Sequence, residues 1–100
     1  MGKYEVTPEA VGDLFDIWNF IAKDNPEAAD RVEATVFRAF EFLVERPLAG
    51  RARKDLTLLP LRFWVVQPYS NYLIVYEHET RPLRVIRIVH AARNLPNLLK

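Results

Sequence analysis

Two proline-led helix starts, Thr7-Pro8 and Asn25-Pro26, constrain this chain more than any other feature of it. A Thr or Asn side chain can accept a hydrogen bond from an orphan N–H of the first helical turn, and a proline just after it has no N–H to lose and a φ already set for helix. Glu9 after the first signal, and Glu27 and Asp30 after the second, suit the positive end of a helix. Val11, Leu14, Trp18 and Ile21, widened by Ala10, Ile17 and Ala22, recur at three- and four-residue steps and predict one buried face on a helix ending near Lys23. Ala29, Val32, Val36, Phe40 and Leu43 form the stripe of a second helix, which Arg46-Pro47 stops. The link between the two is so short that the helices must lie antiparallel.

The rest of the chain has strand character. Lys3 to Val6 reads as a short strand before the first helix, and Leu61 to Val66, Tyr72 to Glu77 and Leu83 to His90 are β-branched and aromatic. Turn residues at Pro68 to Asn71 and Glu79 to Pro82 join these three into an antiparallel meander. Leu48 to Pro60 loses its period around Gly50 and a basic cluster of Arg51, Arg53 and Lys54, and reads as a loop. In the last strand, strict alternation puts Arg84, Ile86, Ile88 and His90 on one face and Leu83, Val85, Arg87 and Val89 on the other, with the isoleucine face expected against the helices. Leu95 to Leu99 could add a helical turn limited by Pro96. The expected architecture is a single α+β domain over residues 1–100, in the order β-α-α-β-β-β, with a helical hairpin packed on a mainly antiparallel sheet.

Half of the 100 residues are hydrophobic and 12% are aromatic, enough to remove roughly two-thirds of the unfolded surface from water and to exclude disorder. The apolar runs fall far short of the roughly 20 residues of a membrane helix. No basic segment followed by an apolar stretch opens the chain, and Val6 stands where an acylation signal needs Ser or Thr, so the expectation is a cytoplasmic protein with no membrane partner. With no cysteine there is no disulfide or thiolate metal site, which a reducing compartment accommodates. The net charge of +1 hides a division: residues 1–50 carry five basic and ten acidic residues, residues 51–100 nine basic and three acidic. The split gives either two faces of opposite sign or simply solvated surface.

Several chemistries lack their residues. Ser70 is the one serine and sits in a predicted turn with no histidine near it in sequence; His78 and His90 alone make a poor zinc site; no glycine-rich phosphate loop exists. No cofactor is expected. His90 followed by Arg93 offers an acid-base group beside a phosphate clamp, the pairing a nuclease needs, or else a structural histidine at a strand end. Arg62, Arg84 and Arg87 lie on adjacent strands among apolar residues, where each must find a carboxylate, a carbonyl or solvent. Pairing with the acidic helices is one account of them and contact with a partner the other. Nothing resembles a helix-turn-helix reader, so direct sequence-specific DNA binding is not expected.

The stretch VIRIVHAARNLPNLL resembles the C-terminal strand and tail of ParE toxins. Ala10, Asp13-Leu14, Ile17-Trp18, Ile21-Ala22, Asn25-Pro26, Ala28-Ala29 and Arg31 resemble the opening helices of the same family, and Pro47, Gly50 and Leu61-Arg62 fall where its pattern has them. The resemblance covers nearly the whole chain, through the order of the motifs more than through any one. It implies the fold shared by ParE and RelE toxins, and a plasmid-stabilising, growth-arresting toxin neutralised by a cognate ParD-like antitoxin, with DNA gyrase as target and protein binding as mechanism.

RelE-like relatives are instead ribosome-dependent messenger-RNA endoribonucleases. By that resemblance Arg93 occupies the position of a catalytic arginine, but Leu73 stands where another arginine belongs, Leu99 replaces a terminal tyrosine, and Arg62 is alone where lysines are expected. His90 supports the enzymatic alternative, in which His90 and Arg93 act on RNA. A non-toxic relative that only binds antitoxin is a third possibility. On the gyrase reading the contacts expected are Arg62, Arg84, Arg87, His90 and Arg93 with the tail residues Leu95, Leu98 and Leu99, apolar groups that have no core to enter.

Overall fold

The computed structural model describes residues 3–91. Strand β1 (Tyr4–Val6) leads into helices α1 (Pro8–Ala22) and α2 (Pro26–Glu45), followed by strands β2 (Arg51–Ala52), β3 (Leu61–Val65), β4 (Tyr72–Glu77) and β5 (Leu83–His90). Both expected caps form: the Thr7 hydroxyl accepts from Ala10 N–H at 3.2 Å and Asn25 Oδ1 from Ala28 N–H at 3.1 Å. Trp18 Nε1 donates to Asp30 Oδ1 at 2.9 Å and ties the hairpin together across its two helices.

The strands make one sheet in the order β1-β5-β4-β3-β2, antiparallel except for the parallel pair β1 and β5. β2 corrects the reading of 48–60 as loop throughout. It is only two residues long, too short for any periodicity to announce it, and its place is set from outside: Gly50 N–H donates to the Tyr76 hydroxyl at 2.9 Å, and that hydroxyl donates to Pro47 C=O at 2.6 Å. A Cβ on Gly50 would stand 2.6 Å from the Tyr76 oxygen, so only glycine lets the chain pass so close to the ring.

The helices cover one face of the sheet. Leu14, Val32, Val36, Phe40 and Leu43 meet Ile74, Tyr76, Leu83, Val85 and Ile88 there, while Leu61, Phe63, Leu73, Val75 and Val89 form a second cluster on the other face, with Leu56 of the connecting loop and Ile86 packed against it. β5 therefore departs from strict alternation. Tyr76 pairs with Val85 but its neighbour Val75 pairs with Arg87, a bulge that leaves Ile86 unmatched. Leu83 and Val85 face the helices before it and Ile88 after it, so the expected isoleucine face is split between the two clusters. Val11, counted in the stripe of α1, is 53% exposed.

β1 pairs with β5 only as far as Val85, and beyond it the outer edge of β5 is completed by side chains. Thr7 N–H donates to Val85 C=O at 3.1 Å and its hydroxyl to Ile86 C=O at 2.9 Å. Asp13 of α1 then accepts from Ile88 N–H at 2.9 Å and, bidentately, from Arg87 Nε at 2.7 Å and Nη2 at 2.9 Å.

Replacing Asp13 with Ala strands a largely buried guanidinium and a strand N–H together, and should cost about 3 kcal/mol of unfolding free energy; in urea melts the Asp13→Ala, Arg87→Ala double variant should lose less than the sum of the single variants. Tyr76 supplies a pH dependence. Burial pushes its phenol above the ordinary tyrosine value, against the opposing pull of the Gly50 hydrogen bond and the Arg62 charge. A raised folded value leaves the stabilisation complete below the unfolded pKa of about 10 and removes it as pH rises through the folded one. Tyr76→Phe should therefore flatten the alkaline limb of a stability profile, while lowering stability at neutral pH by about 1.5 kcal/mol for the two backbone groups left unpaired.

Candidate binding surface

β5 delivers three of the residues singled out in the sequence, and the bulge and the edge contacts decide where each is used. Arg84 is half exposed and lies between two carboxylates on the neighbouring strands, 3.4 Å from Glu5 on β1 and 3.7 Å from Glu77 on β4. Such an exposed ladder contributes little to stability and leaves the guanidinium open to another molecule. Arg87 is the opposite case. Its side chain and that of Asp13 are only 24% and 14% exposed, and the Asp13 hydrogen bond, opposed by burial and reinforced by the charges of Asp13 and Glu9, holds the guanidinium more firmly protonated than usual.

Arg62 also points inward. From β3 its Nη1 donates to the carbonyls of Gly50 and, at 3.3 Å, Leu48, pinning the segment that carries β2, and its buried Nε has no partner. For Arg87 the pairing with the acidic helices is the one observed, through Asp13 of α1, whereas Arg62 departs from that expectation and is held by backbone carbonyls outside the helices, and Arg84 pairs with carboxylates on strands.

His90 ends β5 with its ring edge-on to Tyr72, centroids 5.5 Å apart. It lines an open cleft of about 630 Å³ between α1 and the ends of β4 and β5, together with Asp16, Phe20, Lys23, Asn71 and Tyr72. Arg93, Leu95, Leu98 and Leu99, and the helical turn expected near them, lie outside the described residues. The structure therefore brings Arg84, Arg87 and His90 onto one strand, with Arg62 two strands away.

Chemically, the cleft offers aromatic surface, the carboxylates of Asp13 and Asp16, the Lys23 ammonium and the His90 imidazole. The arginine nearest to it along β5, Arg87, gives its side-on pair, Nε–H and one Nη2–H, to Asp13, so a phosphate approaching it must compete with that carboxylate. Among the described residues no group of three or more His, Cys, Asp or Glu could hold a metal ion, and no helix is long and apolar enough to cross a membrane.

Sequence reasoning missed other surface residues. Phe15 and Phe20 on α1 are 67% and 60% exposed, and Leu58 in the basic loop is 91% exposed. Their signal was present for α1, in aromatic residues that fall off its buried stripe; Leu58 sits in a segment without period, where burial is not predictable.

The family profile described as ParE toxin of type II toxin-antitoxin system, parDE, matches residues 4–95. A Sinorhizobium fredii protein named "Putative toxin Y4kP" is 31% identical over 93 residues, covering 93% of this chain and 92% of that protein. A solved structure titled "Chromosomal ParDE TA system from P. aeruginosa" superposes with a TM-score of 0.73 at 17% identity, over 87% of this chain and 92% of the other, a likeness of fold. Strand, helical hairpin and meander, matched along nearly their whole length, place the chain in the ParE toxin family of type II toxin-antitoxin systems.

Proposed function

We propose that the chain arrests growth by binding DNA gyrase through its surface, without cleaving a substrate, and that a cognate ParD-like antitoxin encoded beside it neutralises it. Family membership supports the toxin and antitoxin parts of this reading, and the solved relative whose title names a ParDE system supports the antitoxin as partner.

The observation that carries the non-catalytic part is the internal commitment of Arg62 and Arg87. A nuclease of this fold needs cations free to neutralise a phosphate and stabilise its transferred charge. Here one candidate holds two backbone carbonyls and the other holds Asp13. The contacts assigned to gyrase are Arg84, His90, Arg93 and the apolar tail residues Leu95, Leu98 and Leu99, which follow one another at the end of the chain. An exposed guanidinium and apolar residues without a charge suit protein contact.

Purified chain should inhibit supercoiling by gyrase and leave ribosome-bound transcripts intact in a translation extract, and the antitoxin should reverse the first effect. Cleavage of the transcripts with supercoiling unaffected would establish the RelE-type reading in its place. Arg84→Ala and His90→Ala should each weaken gyrase inhibition on the order of tenfold, the loss of a contact near 1.4 kcal/mol, with unfolding midpoints close to that of the parent chain.

A further inference from the structure

Helix α1 buries Ala10 and Leu14 on its inner side, yet its outer side is not a polar face. Val11 and Phe15 stand one turn apart there and more than half exposed, with Gly12 beside them on the same side. A Cβ on Gly12 would meet no atom within 4 Å, and the residue lies in the interior of an ordinary helix, so nothing inside the fold accounts for a glycine that weakens the helix relative to alanine. A helix that is apolar on two sides is one that packs on two sides.

The charge of the face narrows what packs on it. α1 carries Glu9, Asp13 and Asp16 and no Lys or Arg, the flanking cations being Lys3 and Lys23. Arg87 satisfies Asp13 and lies close enough to Glu9 to feel its charge, whereas Asp16 has no ionic partner among the described residues. We infer that the outer face of α1 is a docking surface for a cationic amphipathic helix of a partner protein, which lays its apolar ridge across the notch at Gly12 and its basic residues toward Asp16 and Glu9.

The spacing suits a helix. Val11 and Phe15 form an i, i+4 ridge and the missing Cβ of Gly12 makes a groove next to it, the relief into which a second helix packs. A second copy of this chain presenting the same face would set Asp16 and Glu9 against their own equivalents, a like-charge arrangement that opposes association. The inference does not rest on the gyrase reading: Asp16 also lines the His90 cleft, but Val11, Gly12 and Phe15 do not, so variants at those three positions separate the two.

The test uses the full-length, isotope-labelled chain and two synthetic probes, a leucine–lysine amphipathic helix and its leucine–glutamate counterpart. The lysine probe should move amide resonances of α1, and Phe15→Ser and Gly12→Leu should each weaken its binding on the order of tenfold or more. Gly12→Ala should raise the melting temperature of the free chain by about 4 °C while weakening the probe. Both positions are exposed, so these three variants keep the parent spectrum elsewhere; Val11→Ser, at a third exposed position, provides a fourth. Equal binding of the glutamate probe, shifts confined to other elements, or affinity unchanged by Phe15→Ser and Gly12→Leu would overturn the inference. So would concentration-dependent dimerisation that Phe15→Ser abolishes, which would make a second copy the occupant.

Discussion

One carboxylate, Asp13, holds the two layers of this protein in register. It stands where β1 has ended and β5 has not, and it accepts from the backbone of Ile88 and the guanidinium of Arg87 at once. A strand edge there would otherwise show unpaired N–H groups to solvent, and the arginine would need some other carboxylate to be tolerated among apolar neighbours. With Thr7 performing the same service one step earlier, for Val85 and Ile86, the N-terminal helix is fastened along β5 by polar contacts as well as by Leu14 and Ile17. The rest follows from that fastening: α2 folds back on α1, and the cleft that holds His90 is the gap left between α1 and the strand ends.

The same contact divides the arginines into two kinds. Arg87 and Arg62 are structural groups held by the protein itself, through Asp13 and through backbone carbonyls, whereas Arg84 sits in an exposed ladder with Glu5 and Glu77 that solvent screens and a partner can displace. Function on such a scaffold depends on assignments of this kind, because the fold alone does not specify it. The proposal of a binding toxin rests on where these guanidinium groups point.

Much of this was legible in the sequence because it is local. Thr7-Pro8 and Asn25-Pro26 fix both helix starts within a residue, and the β-branched runs fix β3, β4 and β5 almost as closely. What was not legible depends on pairing across the chain. The bulge opposite Val75 and Tyr76 breaks the alternation of β5 without any mark in β5 itself, and the two-residue strand β2 exists because Tyr76, distant in sequence, anchors Pro47 and Gly50. For the site, the sequence brought Arg84, Arg87 and His90 together on one strand, but it could not say that Asp13, of all the acidic residues on the helices, would claim Arg87. Val11 was miscounted as core for a related reason: a helix apolar on both sides does not reveal from its own period which side faces inward.

The central claim, that Arg87 serves the fold and leaves toxicity to other groups, is tested most directly by growth after induction of an Asp13→Asn, Arg87→Gln variant, whose neutral amides can replace the ion pair with hydrogen bonds. With folding confirmed by circular dichroism, cells making this variant and cells making the parent chain should both stop growing. A folded variant that leaves growth unaffected would contradict the account and return Arg87 to the functional surface.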